Sequence, residues 1–377
     1  MGGAGEPGRR ECRPSRQRPW QTVSMHASIQ FPKPLSPGDR IAVSAFSSGV
    51  PLDWQPRLAL AVATLQARGF EVWEGQTVRG QWRGASAPAA VRAAELEALL
   101  LDPGVAAVIP PWGGDLACDV LDWLDWEALR AAPSKWLVGF SDVSTLQLPL
   151  LLRAGWASVH GPNLMQWVPA QQDPLTSALW PLLAGQLPLR QSSSTHHERA
   201  ALDARLHPEA PFQLTEPGSP RWLNADGRAE VTVRGRCLGG CLDALVSLQG
   251  TPWGDVPGFI RRHREEGVIL LLESAELSPP ALHRALLGLR RAGWFDGVAG
   301  VVVGRLPQGP VQPRSPEDSS ASLLHEDVLQ DTLGMLPCPV WVEADVGHVA
   351  PQWPWRQGGL ASCQWDGEAL TLVQEPG

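Results

Sequence analysis

Short apolar runs alternate with helix-forming stretches between residues 41 and 153, and no other feature of the chain limits its fold so strongly. Ile41–Ala45, Phe70–Trp73, Val105–Ile109 and Trp136–Val138 read as strands. Trp54–Arg68, Ala89–Leu101 and Val143–Arg153 read as the helices between them. Strands separated by helices cannot pair as hairpins, so they line up in parallel and are covered on both faces. The expected fold class is therefore α/β, with an N-terminal parallel-sheet domain over residues 33–168. Such sheets carry their sites at the carboxyl ends of the strands.

Past Pro169 the pattern weakens. Residues 169–221, with the polar run Gln191–Arg199, read as a linker region of irregular structure. Strands dominate after Arg228: Val231–Val233, Val268–Leu272, Val298–Val303, Val340–Ala344 and a hairpin of Gly359–Trp365 with Ala369–Val373 around Asp366–Gly367. Pro280–Gly293 is an amphipathic helix and Pro307–Ser322 a surface loop rich in Pro and Ser. A smaller, β-rich C-terminal domain is expected over 222–377. Residues 1–32 hold Arg9, Arg10, Arg13, Arg16 and Arg18 among Gly, Pro and Ser, with no apolar core of the secretory kind. They read as a disordered tail, or as an over-long start with the true one near Met25.

A formal net charge of -8 argues against nucleic acid, because phosphate binding needs a basic stripe. No apolar run is long enough to span a membrane. The six cysteines are scattered; Cys237 and Cys241 stand four apart, but no second pair or nearby His completes a zinc set. Reduced thiols in a cytoplasmic protein are expected, with no cofactor and no metal.

Five segments can carry chemistry. Pro110 to Ala117 follows a strand, and its pair Gly113-Gly114 permits a tight turn that leaves backbone N–H groups free for an anion or oxyanion. Taken alone, an ordinary strand-to-helix turn is the commoner reading. Gly139 to Ser144 contains Ser141 and Asp142, the latter also a natural helix cap. Gly235 to Asp243 is a Gly/Cys-rich run. Glu273 ends an apolar strand, where a carboxylate is costly without a partner. His348 follows a strand, as a base or as a structural imidazole.

In order and spacing these segments resemble the LD-carboxypeptidase family, and within it the microcin C resistance branch. Leu35-Ser36-Pro37-Gly38-Asp39 is similar to the family's entry to its first strand. Pro133-Ser134-Lys135 through Ser141-Asp142 is similar to its Pro-Lys…Gly-Tyr-Ser-Asp block, with Phe140 for Tyr. His160-Gly161-Pro162 resembles a further block, and Gly240-Cys241-Leu242-Asp243 resembles the microcin branch. The resemblance runs from Lys33 to the end. It implies a flavodoxin- or amidotransferase-like N-terminal domain and a Ser-Glu-His triad, with Glu273 orienting His348 as general base. It places Gly113, Gly114, Asp115 and Ser141 around the oxyanion and substrate.

The family pattern runs Gly-Gly, two residues, then the nucleophilic Ser, with Leu and Asp four and eight residues beyond. Leu121 and Asp125 fix that register here, and the position of the Ser is filled by Ala117. The implied function is hydrolysis of an amide next to a carboxylate, in a muropeptide or a peptide-nucleotide conjugate, impaired by loss of the nucleophile. The alternative is an inactive relative that binds a peptide-like ligand. A small peptide-like substrate and a homodimer are expected. Glu273 and His348 are expected within about 2.6–3.2 Å of each other, and Ala117 is expected to point toward His348.

Overall fold

The computed structural model describes residues 28–168, 173–307 and 322–376. It contains two main sheets. The first has six strands in the order Trp355–Gln357, Ser158–His160, Trp136–Gly139, Ala107–Ile109, Arg40–Val43 and Glu71–Glu74. Its five N-terminal strands are parallel, as helix-separated strands must be. Trp355–Gln357 comes from far along the chain and joins its edge antiparallel to Ser158–His160.

The second sheet has eight strands, with Val231–Cys241, Val268–Glu273, Gly300–Gly304 and Val340–Ala344 parallel at its centre. The Leu360–Trp365 and Leu370–Gln374 hairpin flanks Val231–Cys241. The two sheets are separate, but the units share an apolar core. Leu137 and Trp156 of the first unit belong to the same buried cluster as Leu238, Leu242 and Leu270 of the second. No helix among the described residues is long and apolar enough to cross a membrane.

Three readings of the sequence need correction. The linker region 169–221 is not irregular throughout. Within it, Pro174–Ser177 and Leu179–Leu183 are helical, and Leu189–Ser192 pairs with Leu370–Gln374 in the second sheet. Its strands are polar because they lie toward sheet edges, which hides them from a hydrophobicity reading. The tail assigned to 1–32 lies outside the described residues only up to residue 27. The amide of Gln30 donates to Gly155 O at 2.7 Å, and Ala157 donates back to Gln30 O at 2.9 Å. The helix expected over Val143–Arg153 is α only across Ser144–Pro149 and widens to a π turn at Leu150–Ala154. Pro149 sits at the change and has no N–H with which to continue the ladder. The loop expected over Pro307–Ser322 lies mostly outside the described residues.

The strand expected at Val231–Val233 continues to Cys241 because its glycines let the backbones close up. A Cβ on Gly239, which has φ +137°, would lie 1.8 Å from Leu271 O on the neighbouring strand. Replacing Gly239 with Ala would therefore strain the backbone and push two central strands apart. We expect Gly239→Ala to lower the unfolding free energy by about 3 kcal/mol or more, read from urea denaturation at unchanged slope.

Candidate active site

Glu273 is the last residue of an entirely buried strand and has no exposed surface. Its Oε2 lies 2.7 Å from His348 Nδ1. Burial pushes this carboxyl upward, but the neighbouring imidazoles His348 and His160 outweigh it and hold the group well below its usual range. Burial likewise lowers the His348 pKa, and the charge and hydrogen bond of Glu273 more than reverse that, so the net shift is upward. The pair is thus held as carboxylate and readily protonated imidazole, with the His348 side chain 22% exposed.

The loop carrying His348 is built to press against Glu273. Gly347 has φ +94°, and a Cβ there would sit 2.6 Å from Glu273 Oε2. The base of the loop is fixed by Asp345, which accepts from the buried Arg305 guanidinium and, at 2.8 Å, from the Ser194 amide. After Glu273 the chain is pinned by Asp243, which accepts from Ser274 Oγ at 2.8 Å and from the amides of Ala275 and Glu276 at 3.0 and 2.9 Å.

The first unit supplies the glycine turn. Gly113 and Gly114 lie between two serine-bearing loops. A Cβ on Gly113 would sit 2.9 Å from Ser141 Oγ, and one on Gly114 would sit 2.3 Å from Ser48 Oγ. Ser141 holds φ +65°, a strained value for a residue with a side chain. Phe140 before it places its ring 4.7 Å from that of His348. The segment around Ser141 therefore meets the base directly, while Asp115 is exposed on the turn.

Ala117 opens a 3₁₀ helix, Ala117–Trp123, rather than an α-helix. Its amide donates to Asp142 Oδ2 at 2.8 Å. Its side chain is fully buried, in the apolar cluster that includes Val120, Leu121 and Leu242. A methyl group gains most by such burial among other apolar groups. Neither nearby thiol replaces the absent hydroxyl as an anionic nucleophile. Burial, then Asp119 and Asp142, raise Cys118, and burial with Glu273 and Asp243 raises Cys241 well above its usual value.

Four residues of the site escaped the sequence reading as participants. Ser47 and Ser48 hold the glycine turn, through Ser47 Oγ accepting from Leu116 N at 3.3 Å and Ser48 N donating to Gly113 O at 3.3 Å. Their position in a small-residue loop after the first strand was the available signal. His160 is completely buried with its Nε2 3.5 Å from Glu273 Oε1, although it lies on the first sheet. Asp142, read as a helix cap, accepts from Ser47 Oγ at 2.5 Å, Ala117 N at 2.8 Å and Thr145 Oγ1 at 2.9 Å.

Two α/β units, with a buried carboxylate–imidazole pair and a glycine turn brought near where they meet, make the framework of a peptidase-like hydrolase. The chain belongs to the LD-carboxypeptidase family: the family's N-terminal domain matches residues 41–161 and its C-terminal domain residues 234–362. A relative from Streptomyces coelicolor, named for the carboxypeptidases, is 32% identical over 84% of this chain and 87% of its own. The microcin C7 self-immunity protein of Escherichia coli is 24% identical over 91% of this chain and 95% of its own. The murein tetrapeptide carboxypeptidase of Pseudomonas aeruginosa is 25% identical over 93% and 96%. In fold, the chain is similar to a crystal structure of a protein from Bacillus anthracis like that immunity protein, with a TM-score of 0.76 at 22% identity, covering 92% of this chain and 100% of that one.

Asp142 ties the 46–49 loop, the Ala117 turn and the next helix together from a buried position. Asp142→Ala would leave these donors without their acceptor. We expect a loss of about 3 kcal/mol in denaturant unfolding, with Asp142→Asn losing less because it keeps one acceptor oxygen.

Proposed function

We propose that the protein is an LD-carboxypeptidase-type hydrolase in which water, activated at the Glu273–His348 pair, stands in for the family's serine. The observation that carries this reading is the 2.7 Å contact between His348 Nδ1 and a Glu273 carboxylate that has no exposed surface. Glu273 fixes the imidazole and favours its charged form, so the ring can take a proton from an attacking group. The turn at Gly113 and Gly114, with Asp115 and Ser141 beside it, is assigned to the oxyanion and substrate. The bond cleaved is an amide next to a free carboxylate.

The names of its relatives point to two substrate types. The murein tetrapeptide carboxypeptidase suggests a muropeptide tail. Structures of the microcin immunity protein with glutamyl sulfamoyl guanosine and aspartyl sulfamoyl adenosine suggest a peptide-nucleotide conjugate. In this reading the protein acts as a cytoplasmic homodimer. The second reading, binding of a peptide-like ligand without turnover, is favoured by Ala117, since a methyl group cannot form an acyl-enzyme.

Ala117→Ser separates the two. With base and turn in place, an added hydroxyl should raise turnover of an LD-linked tetrapeptide or an aminoacyl-sulfamoyl adenosine by on the order of 100-fold or more. It should also create fluorophosphonate labelling at position 117, absent from the native protein. A folded Ala117→Ser protein with neither gain would decide for the binding reading.

A further inference from the structure

The hydroxyl groups on the two serine-bearing segments around the glycine turn are, with one exception, committed to the fold. Ser47 Oγ donates to Asp142 Oδ2 at 2.5 Å, and Ser48 Oγ donates to Gly84 O at 3.3 Å. Thr145 Oγ1 donates to Asp142 Oδ1 at 2.9 Å, and Ser144 Oγ accepts from the Cys241 amide at 3.0 Å. Ser141 is the exception. Its side chain is partly exposed, and its hydroxyl makes no hydrogen bond among the described residues.

That free hydroxyl is held in place at a cost. Ser141 has φ +65°, a left-handed value that a side chain disfavours. Both of its neighbours are pinned. The Phe140 amide donates to Asn163 Oδ1 at 3.2 Å, and the Asp142 carboxylate is buried under its three donors. Strain kept up by such clamping marks positions with a task beyond folding. The surroundings say what the task is. A Cβ on Gly113 would sit 2.9 Å from both Cβ and Oγ of Ser141, so the side chain lies against the glycine turn. The ring of Phe140, one residue back, packs 4.7 Å from that of His348. His348 spends Nδ1 on Glu273, which leaves Nε2 to act on a proton.

We propose that Ser141 is the catalytic residue that holds the hydrolytic water. The water donates one hydrogen to His348 Nε2 and the other to Ser141 Oγ, which turns a lone pair toward the amide carbon. An attacking group that is not tied to the chain needs such an anchor, because its freedom of position and orientation must otherwise be lost in the reaction step. The assignment rests on the hydrolase reading above. His348 takes one proton from the water, the water oxygen bonds to the amide carbon, and the C–N bond breaks as His348 passes that proton to the leaving nitrogen. The second hydrogen stays on the new carboxyl group and is lost to solvent. Ser141 forms no covalent bond.

The deciding experiment compares Ser141→Gly and Ser141→Ala with the native full-length protein on an LD-linked tetrapeptide. Both substitutions remove the hydroxyl, but only glycine suits φ +65°. Each should lower kcat by on the order of 10-fold at unchanged KM, about the worth of one hydrogen bond to the attacking group. Ser141→Gly should do so with Tm unchanged or higher, which separates lost chemistry from lost stability. Should Ser141→Ala fail to fold by circular dichroism, Ser141→Gly decides alone. A raised KM at native kcat would make Ser141 a substrate contact only, and overturns the inference. Fluorophosphonate labelling of the native protein at Ser141 overturns it too, since the serine would then attack by itself. Native turnover that is unchanged in the variants overturns the inference and leaves the hydrolase reading intact. Absence of turnover by the native protein removes the hydrolase reading, and the inference with it.

Discussion

A carboxylate without exposed surface must be compensated, and in this molecule the compensation of Glu273 organises the chain around it. His348 supplies the near partner at 2.7 Å, and His160 a more distant one at 3.5 Å. Neither can take its place without help from the backbone. Gly347 lets the His348 loop close onto the carboxylate, and Gly304 would clash with Val346 O at 2.3 Å if it carried a Cβ. Asp243 and Asp345 hold the two loops that would otherwise drift. The contact is local, but the atoms that maintain it come from both units.

That sharing also explains how the halves are joined. Trp355–Gln357 leaves the second unit to pair with the strand that ends in His160. Ser144 Oγ of the first unit accepts from the Cys241 amide at 3.0 Å, and Gln357 Nε2 donates to Gly239 O at 2.8 Å. With the apolar cluster common to both units, these bonds couple the geometry of the Glu273 strand to the first sheet. A substitution at the junction would be felt at the site without touching it.

The strand–helix alternation of residues 41–139 was legible because the inner parallel strands are buried on both faces and therefore read as continuous apolar runs, while the edge strand Glu71–Glu74 is largely exposed. Glu273 and His348 were legible as a pair through motif order. The polar edge strand Leu189–Ser192 was not, since an edge strand needs no apolar period. Ser47, Asp142 and His160 act through contacts across 95, 25 and 113 positions of sequence, to Asp142, Ala117 and Glu273 respectively, and local pattern carries no trace of such distances.

The sequence by itself determined the α/β class, the glycine turn, the absence of a hydroxyl at Ala117, and the presence of an acid and an imidazole at strand ends. Those follow from residue type and spacing, which are fixed along the chain. Only the tertiary structure decided that Cys241, Glu273 and His348 would converge, since nothing in their spacing along the chain brings them together. Parallel pairing puts the ends of neighbouring strands side by side however long the crossover between them. Residues that are 32 and 75 positions apart therefore meet at the carboxyl ends of the central strands of one sheet.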